Sequence, residues 1–156
     1  MRIFLITVLI AVATGECAAK GSKGPSDDTT DKAVPKVTYC ELIKHPEKFD
    51  GKVVEVTAIY GNGFEKSYLY DKELCKNMDP SQPQTWGAYD KSFVMEGDSE
   101  EAKTNSKISG FGVWEITAIG RFKRAKGPQR YGHMGCCIFE FDFMKIVRSE
   151  KLSDRA

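Results

Sequence analysis

The sequence predicts a mainly β domain in which five strands close into a small barrel. A short helix precedes the first strand and another lies between the third and fourth. Three observations carry this reading. Two long segments, residues 52–60 and 111–122, are rich in β-branched residues and place apolar side chains at alternate positions. A third, residues 137–147, runs Phe139, Phe141 and Phe143 along one side and Glu140 and Asp142 along the other. Turn residues separate these stretches, and strands this hydrophobic need closure to dispose of their edges.

At the N-terminus, Arg2 precedes a ten-residue apolar run, Ile3 to Val12, broken only by Thr7. A bilayer takes about 20 residues to cross, so the run is too short to anchor the chain. Small residues follow at Ala13-Thr14-Gly15 and Cys17-Ala18-Ala19. Residues 1–19 therefore read as a cleavable export signal, cut before Glu16 or before Lys20. The other reading, a buried N-terminal helix, lacks polar residues spaced to make the run amphipathic. Glu16 stands where a lipoprotein signal needs a small residue ahead of Cys17, which argues against lipidation. The expected location is periplasmic or secreted, with no membrane-spanning segment after cleavage.

Residues 20–36 hold Gly, Ser, Pro, Asp and Thr with almost nothing apolar, and read as a flexible linker. The folded domain is expected over residues 37–150, with a frayed tail at 151–156.

Within the domain, Thr38 to Phe49 reads as a helix. Thr38 and Glu41 stand at the spacing of a capping box, and Pro46 ends or restarts the turns. Asp50-Gly51 marks a turn. The first strand, 52–60, puts Val54, Val56, Ala58 and Tyr60 on one face. Gly61-Asn62-Gly63 marks the next turn, residues 67–71 a second, weaker strand, and residues 72–83 a loop carrying Cys75. The third strand is expected over 85–94, and Ser99 with Glu100-Glu101-Ala102 opens a short helix. The fourth strand, 111–122, aligns Trp114, Ile116, Ala118, Gly120 and Phe122. The fifth, 137–147, turns Cys137 inward with the phenylalanines and leaves Cys136 outside.

Strands one and four share a local pattern, Glu55-Val-Thr-Ala-Ile59 and Glu115-Ile-Thr-Ala-Ile119. In a five-stranded barrel of the OB type these two strands are neighbours, and chance between two β-rich pentapeptides accounts for the likeness without an internal duplication.

Removal of the signal after Ala19 leaves four cysteines, Cys40, Cys75, Cys136 and Cys137. An even number in an oxidising compartment suggests disulfides. Adjacent cysteines are sterically poor partners, because a bridge favours Cα atoms roughly 4.4–6.8 Å apart and neighbours sit about 3.8 Å apart. The pairing stays open, with a single Cys40–Cys75 bridge among the choices. A zinc site with His133 has no C-x-x-C spacing behind it.

Lys+Arg number 23 and Asp+Glu 22, so net charge exerts no general pull toward nucleic acid or membrane. Local clustering does occur. Arg121, Lys123, Arg124, Lys126 and Arg130 place five cations within ten residues, with no acidic residue between them. Phe122 and Tyr131 flank the cluster and His133 follows. In OB barrels this loop and the one after the first strand border the binding face. Cations to track a charged backbone and aromatics to stack on are what an anionic polymer needs. The candidate ligand-binding residues are Arg121, Lys123, Arg124, Lys126, Arg130, Tyr131 and His133, with Tyr60 and Phe64 from the facing turn. A hairpin tip kept soluble by its cations accounts for the same cluster, and both readings stand at this point.

Catalytic motifs are absent: the chain has no nucleophile elbow, no P-loop and no H-E-x-x-H. No cofactor, resident metal or catalytic residue is expected, and whether the chain is an enzyme stays open, with the balance toward a non-enzyme. A metal-dependent hydrolase would have to gather Glu55, Asp90 and Glu115. The alternative to an anion-binding module is an envelope protein–protein module presenting Tyr68, Tyr70 and Tyr89.

The stretch Tyr39-Cys-Glu-Leu-Ile-Lys-His-Pro-Glu-Lys-Phe-Asp-Gly-Lys-Val-Val-Glu-Val-Thr-Ala58 resembles the opening of many small exported OB-fold proteins. The end, Gly120-Arg-Phe with Tyr131-Gly-His-Met-Gly135 and Phe139-Glu-Phe141, is similar to one uncharacterised bacterial group of that kind. The likeness covers roughly residues 38–147. It implies the fold, brings no catalytic residues, and leaves open whether the ligand is nucleic acid, oligosaccharide or protein.

Overall fold

The computed structural model describes residues 33–71, 75 and 85–154. The expected signal segment, most of the expected linker and nearly all of the loop at 72–83 lie outside the described residues.

Six strands form one sheet: β1 Lys36–Thr38, β2 Val53–Gly63, β3 Lys66–Tyr70, β4 Thr85–Tyr89, β5 Gly112–Arg124 and β6 Phe139–Ser153. Five of them match expected strands. β1 is additional and pairs in parallel with β2. It is only three residues long and follows Pro35 at the end of a polar stretch, so no alternation marks it in the sequence. β4 stops five residues short of the expected end. There Asp90 Oδ1 accepts from the backbone N–H and hydroxyl of Ser92 at 2.9 and 2.7 Å, which turns the chain and sends Phe93 into the core. β6 runs six residues past its expected end, to Ser153.

The pairings run in a ring. β2 joins β3, β3 joins β4, β4 joins β6 in parallel, β6 joins β5, and β5 returns to β2. The inward faces are the ones alternation selects: Val54, Val56, Ala58 and Tyr60 from β2, Trp114, Ile116, Ala118 and Phe122 from β5, and Phe139, Phe141 and Phe143 from β6. Their burial is the principal source of stability, at about 25 cal/mol per Å² of apolar surface removed from water.

Helix α1, Tyr39–Lys44, starts with the capping box. Glu41 N–H donates to Thr38 Oγ1 at 3.2 Å, and Thr38 N–H donates to Glu41 Oε2 at 2.9 Å. His45 ends α1, donating its N–H to Glu41 O at 3.0 Å, and Pro46 restarts the chain as α2, Pro46–Phe49. Tyr39 ties α1 to the sheet. Its hydroxyl donates to Leu69 O at 2.8 Å and accepts from Thr85 Oγ1 at 2.9 Å, and burial pushes its phenol up to about 12. Cys40 on the same helix is bridged to Cys75, with Cα atoms 5.4 Å apart.

Helix α3, Glu100–Ser106, packs against β6. Its Asn105 is fully buried, donating from Nδ2 to Val94 O and accepting the Ile146 N–H at Oδ1, both at 2.8 Å. No helix among the described residues is long and apolar enough to cross a membrane.

Candidate functional site

The site expected from the sequence lies on the connection between β5 and β6, residues 125–138. Its base is a hairpin: Ala125 N–H donates to Ile138 O at 2.8 Å. Farther out, Tyr131 and Cys137 exchange backbone hydrogen bonds of 2.8 and 3.1 Å. Between them the chain makes a tight turn, His133–Gly135, with Gly132, Met134 and Gly135 at positive φ.

Gly132 lies on the indole of Trp86. A Cβ at this position would come within 2.5 Å of Trp86 Cε3 and 2.9 Å of Cys136 Sγ, so close approach as well as φ +76° requires glycine. The loop is thereby pressed onto the outer face of the sheet. Across that face Tyr68, Trp86, Glu140 and Lys123 occupy paired positions on β3, β4, β6 and β5. Tyr68 and Trp86 meet edge to face with ring centroids 5.7 Å apart.

The five cations part company in the fold. Lys123 is paired with Asp142 and with Glu140 Oε1, the latter at 3.1 Å. Burial by itself would lower its ammonium, but the bonds to Asp142 and Glu140 outweigh that and hold it above its ordinary value. Glu140 is pushed up, first by burial and then by the neighbouring Asp142. Asp142, expected on an open face, is 8% exposed because Lys123 covers it. Lys126 lies 3.5 Å from Asp50 Oδ2, and Asp50 Oδ1 accepts the Arg124 N–H at 3.0 Å. Arg121 donates to Gly51 O at 2.8 Å. The Arg130 guanidinium has no acidic partner among the described residues, the charge of Arg124 helps to hold Asp50 ionised, and both arginines are exposed.

Acidic residues thus oppose the cluster from elsewhere in the chain, although none lies within it in sequence. The register of β5 against β6 sets Lys123 opposite Glu140, and the Asp50-Gly51 turn packs on the end of β5. Glu140 and Asp142 were legible as an outward pair from alternation; their partner was not, because the pairing register depends on the length of the connecting hairpin.

A pocket of about 260 Å³ opens in the loop, lined by Ala125, Lys126, Gln129, Arg130 and Tyr131. Three of the sequence candidates therefore meet there: Lys126, Arg130 and Tyr131. Gln129 and Ala125 join them without having carried a charge or ring signal. Burial raises the Tyr131 phenol above its usual value, as does the Glu140 carboxylate. It stays neutral near pH 7, a donor as well as a stacking surface.

The facing turn also reaches this loop. His133 Nε2 lies 3.4 Å from Glu65 Oε2, which brings the β2–β3 hairpin beside the 133–135 turn. Phe64 at the hairpin tip is 78% exposed. Tyr60 is a correction to the sequence reading. Alternation carries it inward, where its ring has no exposure and its hydroxyl bonds to Ser67 at 3.1 Å and Tyr89 at 3.2 Å, so it belongs to the core.

Other expectations also meet the structure here. Cys136 and Cys137 are adjacent, with Cα atoms 3.8 Å apart, below the usual spacing of a bridged pair. Positive φ at Met134 and Gly135, followed by a helical Cys136, turns the two side chains toward each other. Cys137 is buried at 1% and Cys136 is exposed, as alternation requires. Glu55, Asp90 and Glu115 do not gather. Glu55 pairs with Lys36 at 3.0 Å, Asp90 is held by Ser92, and the one group with metal-ligand spacing among the described residues is Cys40, Asp71 and Cys75. Of the tyrosines suited to a protein interface, Tyr68 and Tyr70 are half-buried, and Tyr89 is 39% exposed and stacks on Phe93.

Comparison of the chain with protein-family models, curated proteins and solved structures finds no match.

Proposed function

We propose that the chain is an exported binding module built as an OB-type barrel, holding an anionic ligand in the pocket of the 125–131 loop. The strand order supports the barrel type. A ring of β2, β3, β4, β6 and β5, with a helix between β4 and β5, is compatible with the OB order of strands and supports that reading. The loops that border the ligand face in that architecture are here the β2–β3 hairpin and the β5–β6 connection, joined through Glu65 and His133. Export rests on the apolar run at 3–12 and the small residues after it.

One observation carries the ligand class: the pocket joins Lys126 and Arg130 to the neutral hydroxyl of Tyr131 and the amide of Gln129. Arg130 has no acidic partner among the described residues, so an anion there needs no ion pair among them to break first. The planar guanidinium suits bidentate contact with phosphate, sulfate or carboxylate.

The test is binding of the purified protein to single-stranded DNA, a sulfated glycan and anionic vesicles at low and moderate salt. Salt-sensitive binding that falls on Arg130→Ala, and further on Arg124→Ala/Arg130→Ala, is the expected result. Binding that is insensitive to both substitutions, or absent throughout the panel, would sink the reading.

A further inference from the structure

We propose that the β2–β3 hairpin and the tip of the 125–138 loop form a face that docks on an anionic lipid bilayer, inserting Phe64, Phe111 and Met134 at the acyl boundary. This names the ligand of the anion-binding reading and rests on that reading for the choice of a negatively charged surface. The apolar half stands on separate observations.

The first is where exposed apolar surface collects. Among the described residues, the three most exposed large hydrophobics are Met134 at 92%, Phe64 at 78% and Phe111 at 65%. They are distant in sequence, yet each borders one hairpin. Phe64 stands in the turn between Gly63 and Lys66, which pair across β2 and β3. Its neighbour Glu65 meets His133, the neighbour of Met134, at 3.4 Å. Phe111 precedes Gly112, which pairs with Asn62 just below the hairpin turn. A single exposed hydrophobic residue is ordinary, but a gathering of them marks an interaction surface.

The second observation is strain. Glu65 and Met134 both have left-handed backbone, with φ +56° and +53°, which is costly for a residue with a Cβ. Glycine or asparagine closes such turns more easily. Here each tip combines the costly backbone with a large apolar side chain left in water. Folding stability gains from neither.

Charge selects the occupant. The stem of Arg130 lies beside the residue after Met134, since a Cβ on Gly135 would come 3.2 Å from Arg130 Cβ. Arg130 and Lys126 line the pocket of the same loop, and Lys66 is exposed at the foot of the hairpin turn. Glu65, the acidic residue of that turn, lies against His133. A soluble anionic polymer would leave the apolar tips in water, and the thioether of Met134 offers no ring for a base to stack on. A bilayer takes both parts at once. Its phosphates meet the cations, and the apolar ends enter the acyl boundary, where affinity grows with apolar area and with anionic lipid.

The experiment is co-sedimentation of the purified protein with phosphatidylcholine vesicles, with and without phosphatidylglycerol, beside binding to a sulfated glycan as the soluble anion. The parent should bind the vesicles that contain phosphatidylglycerol. Phe111→Ser/Met134→Asn should bind them about tenfold more weakly, while its affinity for the glycan is unchanged. Asparagine tolerates the left-handed backbone at position 134, and circular dichroism checks that the variant is folded. Arg130→Ala should weaken binding to both probes. Phe64→Trp should keep vesicle binding and add a blue shift of emission beyond any change in the parent. Undiminished vesicle binding by Phe111→Ser/Met134→Asn, as the apolar run at 3–12 would give by itself, would overturn the proposal. So would equal binding to neutral vesicles. Glycan binding without vesicle binding would overturn it too, and would leave the anion-binding reading standing. Self-association abolished by the same double variant, with no vesicle binding, would give the face to a second copy of the chain and overturn the lipid. If no anionic probe binds at all, both readings fail.

Discussion

Thr57 on β2 and Thr117 on β5 stand directly opposite each other, their hydroxyl oxygens 2.9 Å apart. They are the central residues of the two matching pentapeptides. The antiparallel register places Glu55 opposite Ile119, Val56 opposite Ala118, Ala58 opposite Ile116 and Ile59 opposite Glu115. The segment is therefore nearly two-fold symmetric about the threonine pair. In such a register each glutamate faces an isoleucine and the two carboxylates are kept apart, which avoids like charges directly opposed.

The threonine pair gives the first prediction. Thr57 is exposed and Thr117 half-buried, so either hydroxyl alone regains some water on loss of its partner. A double-mutant cycle with Thr57→Val and Thr117→Val should return a coupling of about 0.5–1 kcal/mol in urea unfolding, in the range of cross-strand pairs. Strict additivity would show that the hydroxyls contribute through water alone.

Period-two alternation made the strand faces legible, because one face of each strand must be buried. It placed Val54 through Tyr60, Trp114 through Phe122 and Phe139 through Phe143 inside, and Cys137 in with Cys136 out. The capping box at Thr38 and Glu41 and the N-cap at Ser99 were legible for a local reason: each is a bond between residues three apart. What depended on contacts between distant residues was not legible. Lys123 looked free because its partners, Glu140 and Asp142, arrive from another strand. Tyr60 looked available because it adjoins a turn, although its own strand's alternation points it inward. The tight turn ahead of Cys136 and Cys137 rests on left-handed backbone at Met134, which residue type alone does not announce.

Asn105 is the buried polar residue on which the packing of α3 depends. Its amide closes two backbone groups from different segments, Val94 O and Ile146 N–H. Asn105→Ala leaves both unsatisfied and should lower the unfolding free energy by about 2–4 kcal/mol. Asn105→Asp keeps the acceptor for Ile146 but sets a carboxylate oxygen against Val94 O. Its loss should therefore be larger at neutral pH and partly recovered in acid, where the carboxyl is protonated and donates. Equal losses at both pH values would argue that cavity, not hydrogen bonding, sets the effect.

Gly132→Ala separates the loop from the sheet. The added methyl meets the Trp86 ring and the backbone must keep φ +76°, so the 131–136 segment lifts. The core strands do not depend on it. The expected outcome is changed Trp86 fluorescence and loss of anion binding, with a stability change of about 1–2 kcal/mol, the size of a local left-handed strain. Global unfolding instead would show that the loop is integral to the sheet.

Two carboxylates should give opposite pH slopes. Asp50 is held below its ordinary 3.8, first by the hydrogen bond from the Arg124 N–H. Its stabilisation is complete above that value and is lost as pH falls through the lower folded one. Glu140 is held above its ordinary 4.5, first by burial. Its contribution is complete below 4.5 and is lost as pH rises through the raised folded value. Urea midpoints should therefore drop less between pH 4.5 and neutrality in Glu140→Gln than in the parent chain. Asp50→Asn should weaken the protein near neutrality and leave it unchanged well below pH 3.8. Parallel profiles for parent and variants would remove both assignments.

The Cys40–Cys75 bridge joins helix α1 to a position 35 residues on. In the chain-entropy account, closing a loop of that length removes about 4 kcal/mol of unfolded-state freedom at 25 °C. Cys40→Ser/Cys75→Ser should lower the unfolding free energy by up to that amount, measured by urea denaturation under non-reducing conditions. The loss should be felt through α1, because Tyr39 beside Cys40 anchors the helix to Leu69 and Thr85. A Tyr39→Phe substitution in the bridged protein should cost about 1 kcal/mol or more, since Thr85 Oγ1 and Leu69 O lose a buried partner. In the unbridged variant the same substitution should cost less, because α1 is already less firmly held. Equal costs in the two backgrounds would mean that the bridge acts on the unfolded chain alone, and that helix docking is set by packing and the tyrosine without help from the disulfide.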